Sequence, residues 1–210
     1  MSGTPFLLAT RSLGKLYELR PMFEAAGMEI TDLDVAGIAE TSDEDALEHF
    51  ETFEENALAK ARYFRAKSGL PTIADDSGLE VRALGGAPGV RTKRWSGRSD
   101  LEGRALDVAN NEYLLGMLAT ADDRRARYVC VAALVDASGE HLFRGETEGE
   151  ILREGRGTGG FGYDPLFLSA DLGMTFAEAE RHEKERTSHR GRAFAQLIAW
   201  LDARRQRAGT

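Results

Sequence analysis

The sequence predicts an α/β fold, on three observations. Short apolar runs alternate with stretches whose apolar residues recur at helical spacing. Two apolar segments flanking Ala137-Ser138-Gly139 read as an antiparallel hairpin. With 42% hydrophobic residues in 210, the chain can bury a substantial core.

In chain order, Pro5–Ala9 reads as a first strand, followed by the polar segment Thr10-Arg11-Ser12-Leu13-Gly14-Lys15. Leu16, Leu19, Phe23 and Ala26 then mark the buried face of a helix that Gly27 ends. A strand, a small polar loop and a helix start can cradle an anion through free N–H groups and the helix dipole. On the residues alone, however, Ser12 as a helix cap beside a solvated Lys15 is the preferred account. Met28–Leu33 reads as a second strand. The acidic stretch Asp34–Glu51 carries Glu40, Asp43, Glu44, Asp45, Glu48 and Glu51, mostly solvated, of which one or two can reach a metal. Thr52-Phe53-Glu54-Glu55 is a capping box, and it opens a helix running to Gly69.

Leu70 to Gly97 is the segment around which the rest is arranged. The run Pro71–Ala74 is too short for a helix and reads as a buried strand delivering Asp75 and Asp76 at its end. Successive strand side chains face opposite sides, so the two carboxylates point to different partners. The composition Asp75-Asp76-Ser77-Gly78 also suits an ordinary turn. Leu79–Val81 is a second strand-like run. A Gly-Gly-Ala-Pro-Gly loop follows and leads to Arg91, Lys93, Arg94 and Trp95.

Ser99 or Asp100 can cap a helix to about Leu118, with Leu106, Ala109, Leu114 and Leu118 inward. Tyr128–Val135 and His141–Thr147 form the hairpin, and Glu148–Leu152 extends its second strand. Residues 155–165 are the most glycine-dense part of the chain. That many glycines cost conformational entropy, and a close approach of backbone to a ligand, with Phe161 or Tyr163 against a flat ring, accounts for them better than packing does. Leu166–Leu168 is a short strand. An acidic helix around Glu178–Arg186 breaks near Thr187. Ser188 then caps a last helix with Phe194, Leu197, Ile198 and Leu201 on its core face, which places His189 and Arg190 at a helix start, one turn after Lys184.

The net charge of −8, from 27 basic and 35 acidic residues, argues against a general nucleic-acid binder, so phosphate-facing chemistry needs local clusters of base. No apolar run approaches the ~18 residues of a membrane span, and no signal-peptide pattern is present. Cys130 is the only cysteine and sits in an apolar run, which fits a core residue in a reducing cytoplasm.

TRSLGK, TFEENALAKA, ADDSGLEV, GGAPGV, GTGGFGYDPLF and EKERTSHRG, in that order, resemble the inosine/xanthosine triphosphate pyrophosphatase family over about residues 5–203. The chain departs from the family pattern at two places. Ser12 stands where the family usually has Asn, and Arg91-Thr92 where it usually has Tyr-Ser. The resemblance implies a mixed central sheet with flanking helices and two lobes around a nucleotide cleft. Residues 1–210 would be one pyrophosphatase domain, usually in a homodimer. It further implies Mg²⁺-dependent cleavage of ITP, dITP and XTP to the monophosphate and pyrophosphate, which cleanses the nucleotide pool.

Carried onto this chain, the resemblance makes Asp76 the general base and a metal ligand and Glu48 a second metal ligand. Thr10, Arg11, Ser12, Leu13, Gly14, Lys15, Ser77, Lys184, His189 and Arg190 fall on phosphate or base contacts, and Phe161, Gly162, Tyr163 and Asp164 on the base pocket. Selection of a 6-oxo purine is expected from backbone N–H groups of the glycine loop or from the His189-Arg190 pair. The rivals are a pyrophosphatase for another modified nucleotide and a non-catalytic nucleotide-binding protein on the same scaffold.

Overall fold

In the computed structural model, residues 4–208 are described, apart from the side chains of Asp45 and Ala208. Six strands form one open sheet in the order β2-β1-β3-β4-β5-β6. They are β1 (Phe6–Leu8), β2 (Ile30–Asp32), β3 (Thr72–Val81), β4 (Arg125–Asp136), β5 (Gly139–Ile151) and β6 (Phe167–Ser169). The sheet is mixed: β1 runs parallel to β2 and β3, whereas β5 and β6 are antiparallel. The neighbours β4 and β5 are joined by only Ala137-Ser138, a link that only an antiparallel pair can use.

The α-helices are α1 (Leu13–Ala25), α2 (Phe53–Ser68), α3 (Gly103–Met117), α4 (Arg181–Thr187) and α5 (His189–Ala208). Ser12 caps α1 by accepting the Lys15 N–H. Thr52 caps α2 by accepting the Glu55 N–H, and Gly69 ends it at φ 71°, a left-handed conformation open to glycine. Among the described residues no helix is long and apolar enough to cross a membrane.

Three boundaries differ from expectation, each for a local reason. Of the expected runs Pro71–Ala74 and Leu79–Val81, all but Pro71 are parts of one ten-residue strand, β3. The Asp-Ser-Gly composition does not turn because Gly78, Leu79 and Val81 are buried and the Leu79 N–H finds the Thr92 hydroxyl at 3.2 Å. Helix α3 starts after Glu102 rather than at Ser99 or Asp100, since Asp100 is held by a two-pronged pair with Arg98 at 2.7 Å. Glu178 closes a separate turn with Thr175, so α4 begins only at Arg181, where Glu180 and Glu183 form the capping box. On α3, Leu114 and Leu118 are buried as expected, but Leu106 and Ala109 are only half-buried.

The chain divides into two compact units. The first comprises residues up to Asp76, Cys130–Gly145 and Arg190 onward. Its core joins Leu16, Leu19 and Phe23 of α1, Ile73 of β3, Cys130, Ala132 and Leu134 of β4, and Phe194, Leu197 and Leu201 of α5. The second comprises Ser77–Val129 and Glu146–His189. It packs Leu79 and Val81 with Leu114 and Leu118 of α3, and with the ring cluster Tyr128, Tyr163, Phe167 and Phe176.

Candidate active site

In the first unit, β3 sends Asp75 and Asp76 to opposite sides, and their surroundings differ. The Asp75 carboxylate, with 1% of its side chain exposed, meets Lys15 Nζ at 2.9 Å and Arg190 Nε at 3.4 Å. The Cys130 thiol lies 3.6 Å from the same oxygen. Burial opposes the Asp75 anion, but Lys15, Arg190 and Lys60 outweigh it and hold the carboxyl well below the usual range. Burial, followed by the Asp75 charge, pushes the Cys130 thiol up, so it is an inert core group. Arg190 also binds Glu18 at 2.6 Å. Lys15 is therefore not a solvated lysine. The cap at Ser12 sets the first turn of α1, and that turn aims Lys15 at the strand end.

Asp76 accepts from the Asn56 side-chain amide at 3.0 Å and from Lys60 Nζ at 3.3 Å. Lys60 Nζ also lies 2.9 Å from Glu48, so one ammonium is shared by the two carboxylates assigned to a metal. Burial raises the Asp76 pKa above that of an ordinary Asp, with Lys60 and Lys15 pulling the other way. Among the described residues no group of three or more His, Cys, Asp or Glu side chains is close enough to hold a metal by itself.

Sequence reasoning gave Asn56 and Lys60 no role. The signal was available: both lie on the face of α2 that buries Phe53, Ala57, Ala61 and Phe64, and a polar residue on a buried face needs a partner. Asn56 fills three of its bonds, since it also accepts the Phe50 N–H and donates to the Phe50 carbonyl. In the loop before α1, Thr10 Oγ1 accepts the Ser12 N–H at 3.1 Å. Arg11 pairs with Glu44 at 2.9 Å, and Leu13 is 78% exposed.

In the second unit, Lys184 and Asp164 form a buried ion pair at 2.6 Å. The Asp164 carboxylate also accepts the Phe161 N–H at 2.9 Å. The Lys184 ammonium stands 5.1 Å from the centre of the Phe161 ring, which is half-buried. The His189 ring is buried and stacks on Tyr128, with centroids 4.4 Å apart and planes 7° apart. Ser77 is half-buried in β3.

Two expectations for the glycine loop change. A Cβ at Gly160 would lie 2.0 Å from the Asp164 carboxylate, and one at Gly157 would lie 2.5 Å from the Ala177 backbone. These glycines therefore answer to packing of the loop on its own unit, not to a ligand. Of the two aromatics, Tyr163 is 3% exposed and donates its hydroxyl to the Thr92 carbonyl at 2.8 Å, so its ring is core and Phe161 keeps the accessible face. Thr92, within one of the two departures from the family pattern, thus ties β3 to the loop through both its hydroxyl and its carbonyl. Arg190 is 3% exposed and turned onto Asp75 and Glu18. The expectation that it reads a base gives way to one in which it fixes Asp75.

The Ham1 family model matches residues 6–200. The chain is 48% identical to the dITP/XTP pyrophosphatase of Mycolicibacterium paratuberculosis, over 95% of this chain and 96% of that protein. It is also 48% identical to that of Symbiobacterium thermophilum, over 97% and 98%. A solved structure of a HAM1 protein from Coxiella burnetii aligns with a TM-score of 0.82 at 35% identity, covering 96% of this chain and all of that one (100%).

Proposed function

The chain belongs to the Ham1 family, and from that premise we propose that it hydrolyses ITP, dITP and XTP to the nucleoside monophosphate and pyrophosphate. The observation that carries the reading is the division of the strand-end carboxylates. Asp75 is fixed by Lys15 and Arg190, while Asp76 shares one cation with Glu48. Asp76 is then the general base that takes the proton of the attacking water. Its raised pKa suits that task, because a base works best when its pKa approaches the operating pH.

Glu48 and Asp76 are the residues that would hold Mg²⁺. Two carboxylates converging on one positive charge fit an ion that takes a few protein oxygens and completes its shell with phosphate and water. When bound, the ion supplies charge neutralisation and a more acidic water. Lys15 supplies positive charge for the phosphates, and the amides of Arg11, Leu13 and Gly14 at the start of α1 offer an anion-binding helix end. The base lies against Phe161.

Two loop amides, those of Phe161 and Gly162, are already taken by carboxylates, so selection is not assigned to them. Lys184 beside the ring favours the O6 acceptor of ITP over the amino donor of ATP. One mismatched buried donor costs about 1–3 kcal/mol, or roughly 5- to 150-fold in kcat/KM.

The reading takes residues 1–210 as one domain working in the cytoplasm on the nucleotide pool. It includes a homodimer, which the family resemblance implies. The test is a substrate panel of ITP, dITP, XTP, ATP and GTP with separate detection of pyrophosphate and phosphate. Mg²⁺-dependent pyrophosphate release with ITP and XTP ahead of ATP is expected. Phosphate and IDP as first products would overturn the reading.

A further inference from the structure

We infer that Asp107 and Asn111 of α3 are positioning residues for base selection, acting through the peptide groups on either side of Gly162; the inference rests on the function proposed above. The two side chains stand one helical turn apart and so share a face. Asp107 Oδ2 accepts the Gly162 N–H at 2.9 Å, and Asn111 Nδ2 donates to the Gly162 carbonyl at 3.0 Å. The N–H belongs to the peptide plane shared with Phe161, and the carbonyl to the plane shared with Tyr163. Gripping both planes fixes the two dihedrals of Gly162, which sits at φ 62°. Glycine is the residue with most backbone freedom to lose, so an external clamp has its largest effect here.

The clamp has a direction. On its C-terminal side Tyr163 is already immobile, buried and bonded to the Thr92 carbonyl. On its N-terminal side stands Phe161, half-buried beside Lys184, so the rotation that Gly162 would otherwise allow falls on that ring. A loop amide in contact with water needs no helix side chain to satisfy it. Two such side chains converging on one glycine, from the helix whose Leu114 and Leu118 already pack with Tyr163, are what preorganisation of a binding ring requires. Asp107 and Asn111 are both only half-buried, so their replacement spares the core of this unit.

The experiment compares wild type with Asp107→Ala, Asn111→Ala, the double variant and the conservative Asp107→Asn, whose side-chain oxygen can still accept. Amide exchange at Gly162 should rise at least ~10-fold in Asp107→Ala and return toward wild type in Asp107→Asn. In pyrophosphate-release assays the ITP-to-ATP ratio of kcat/KM should fall about 5-fold or more in the double variant. That fall should come through KM for ITP, with kcat within ~2-fold of wild type. A role in stability alone would lower Tm and leave the ratio unmoved.

Unchanged Gly162 exchange in Asp107→Ala overturns the clamp. A folded double variant as selective as a selective wild type overturns the inference alone. A wild type with no preference for ITP overturns the proposed function and this inference with it. Should the double variant fail to fold, the two single alanine variants carry the same comparison.

Discussion

The ends of Asp75 and Asp76 are met by Lys15, Lys60, Arg190 and the Asn56 amide, contributed by α1, α2 and α5. Residues 155–165 are held otherwise. Gly159 donates to the Ala177 carbonyl, Phe161 to Asp164, Gly162 to Asp107 and Tyr163 to Thr92, so backbone groups carry most of the contacts. The first region fixes charges, and the second fixes the direction of a ring. A phosphoryl transfer needs charge in place before reaction, because stabilisation of developing charge is the largest part of such catalysis. Selection among purines needs a surface of defined shape and few groups of defined polarity. Each region is stiff in the manner its task requires.

The largest expected effect comes from breaking the charged region at its anchor. Asp75→Asn leaves Lys15 and Arg190 buried with one counter-charge fewer, at a cost of about 3–5 kcal/mol. For a chain of this size that lowers Tm by about 10 °C. Calorimetry showing an unchanged Tm would mean that Asp75 is not an anchor. A smaller effect comes from the second region. Phe161→Ala removes the stacking face, and base–aromatic stacking is worth about 1–3 kcal/mol, so KM for ITP should rise at least ~5-fold with kcat close to wild type. A fall in kcat at constant KM would place Phe161 with the chemistry and erase the division between the regions.

The smallest effect uses an ion pair that belongs to neither region. Asp136 binds Arg204 at 2.6 Å and takes two bonds from Ser138 at the β4–β5 turn. Burial opposes its anion, but Ser138 and Arg204 outweigh burial and lower its pKa. A depressed folded pKa gives stability that is present above the ordinary Asp range and is lost as pH falls through and below it. With Arg204 40% exposed, the gain is under ~1 kcal/mol. Asp136→Asn should flatten that part of the acid limb of a pH–Tm curve and leave ITP turnover unchanged. An altered turnover would show that charge outside both regions reaches the site.

What the sequence made legible was local. The caps at Ser12 and Thr52, the stop at Gly69, the hairpin at Ala137-Ser138 and the opposed faces of Asp75 and Asp76 depend on neighbours within a few residues. What it concealed was tertiary. Lys15 reads as a solvated lysine until β3 is placed beside α1. Nothing within α3 announces that Asp107 and Asn111 serve a glycine 55 and 51 residues away. The glycines at 157 and 160 misled for the same reason. A glycine that admits a ligand and one that admits the protein's own Ala177 or Asp164 look alike in sequence.

The central claim is that two adjacent carboxylates have separate duties, Asp75 holding the site and Asp76 acting on water. It is tested most directly by kcat for ITP in Asp76→Asn, measured at saturating substrate and Mg²⁺ on protein whose Tm stays near wild type. Asn keeps the shape and the partner at Asn56 but removes the basicity. The account predicts a loss of about 10²-fold or more, the scale of a missing general base. Turnover within a few-fold of wild type would contradict it.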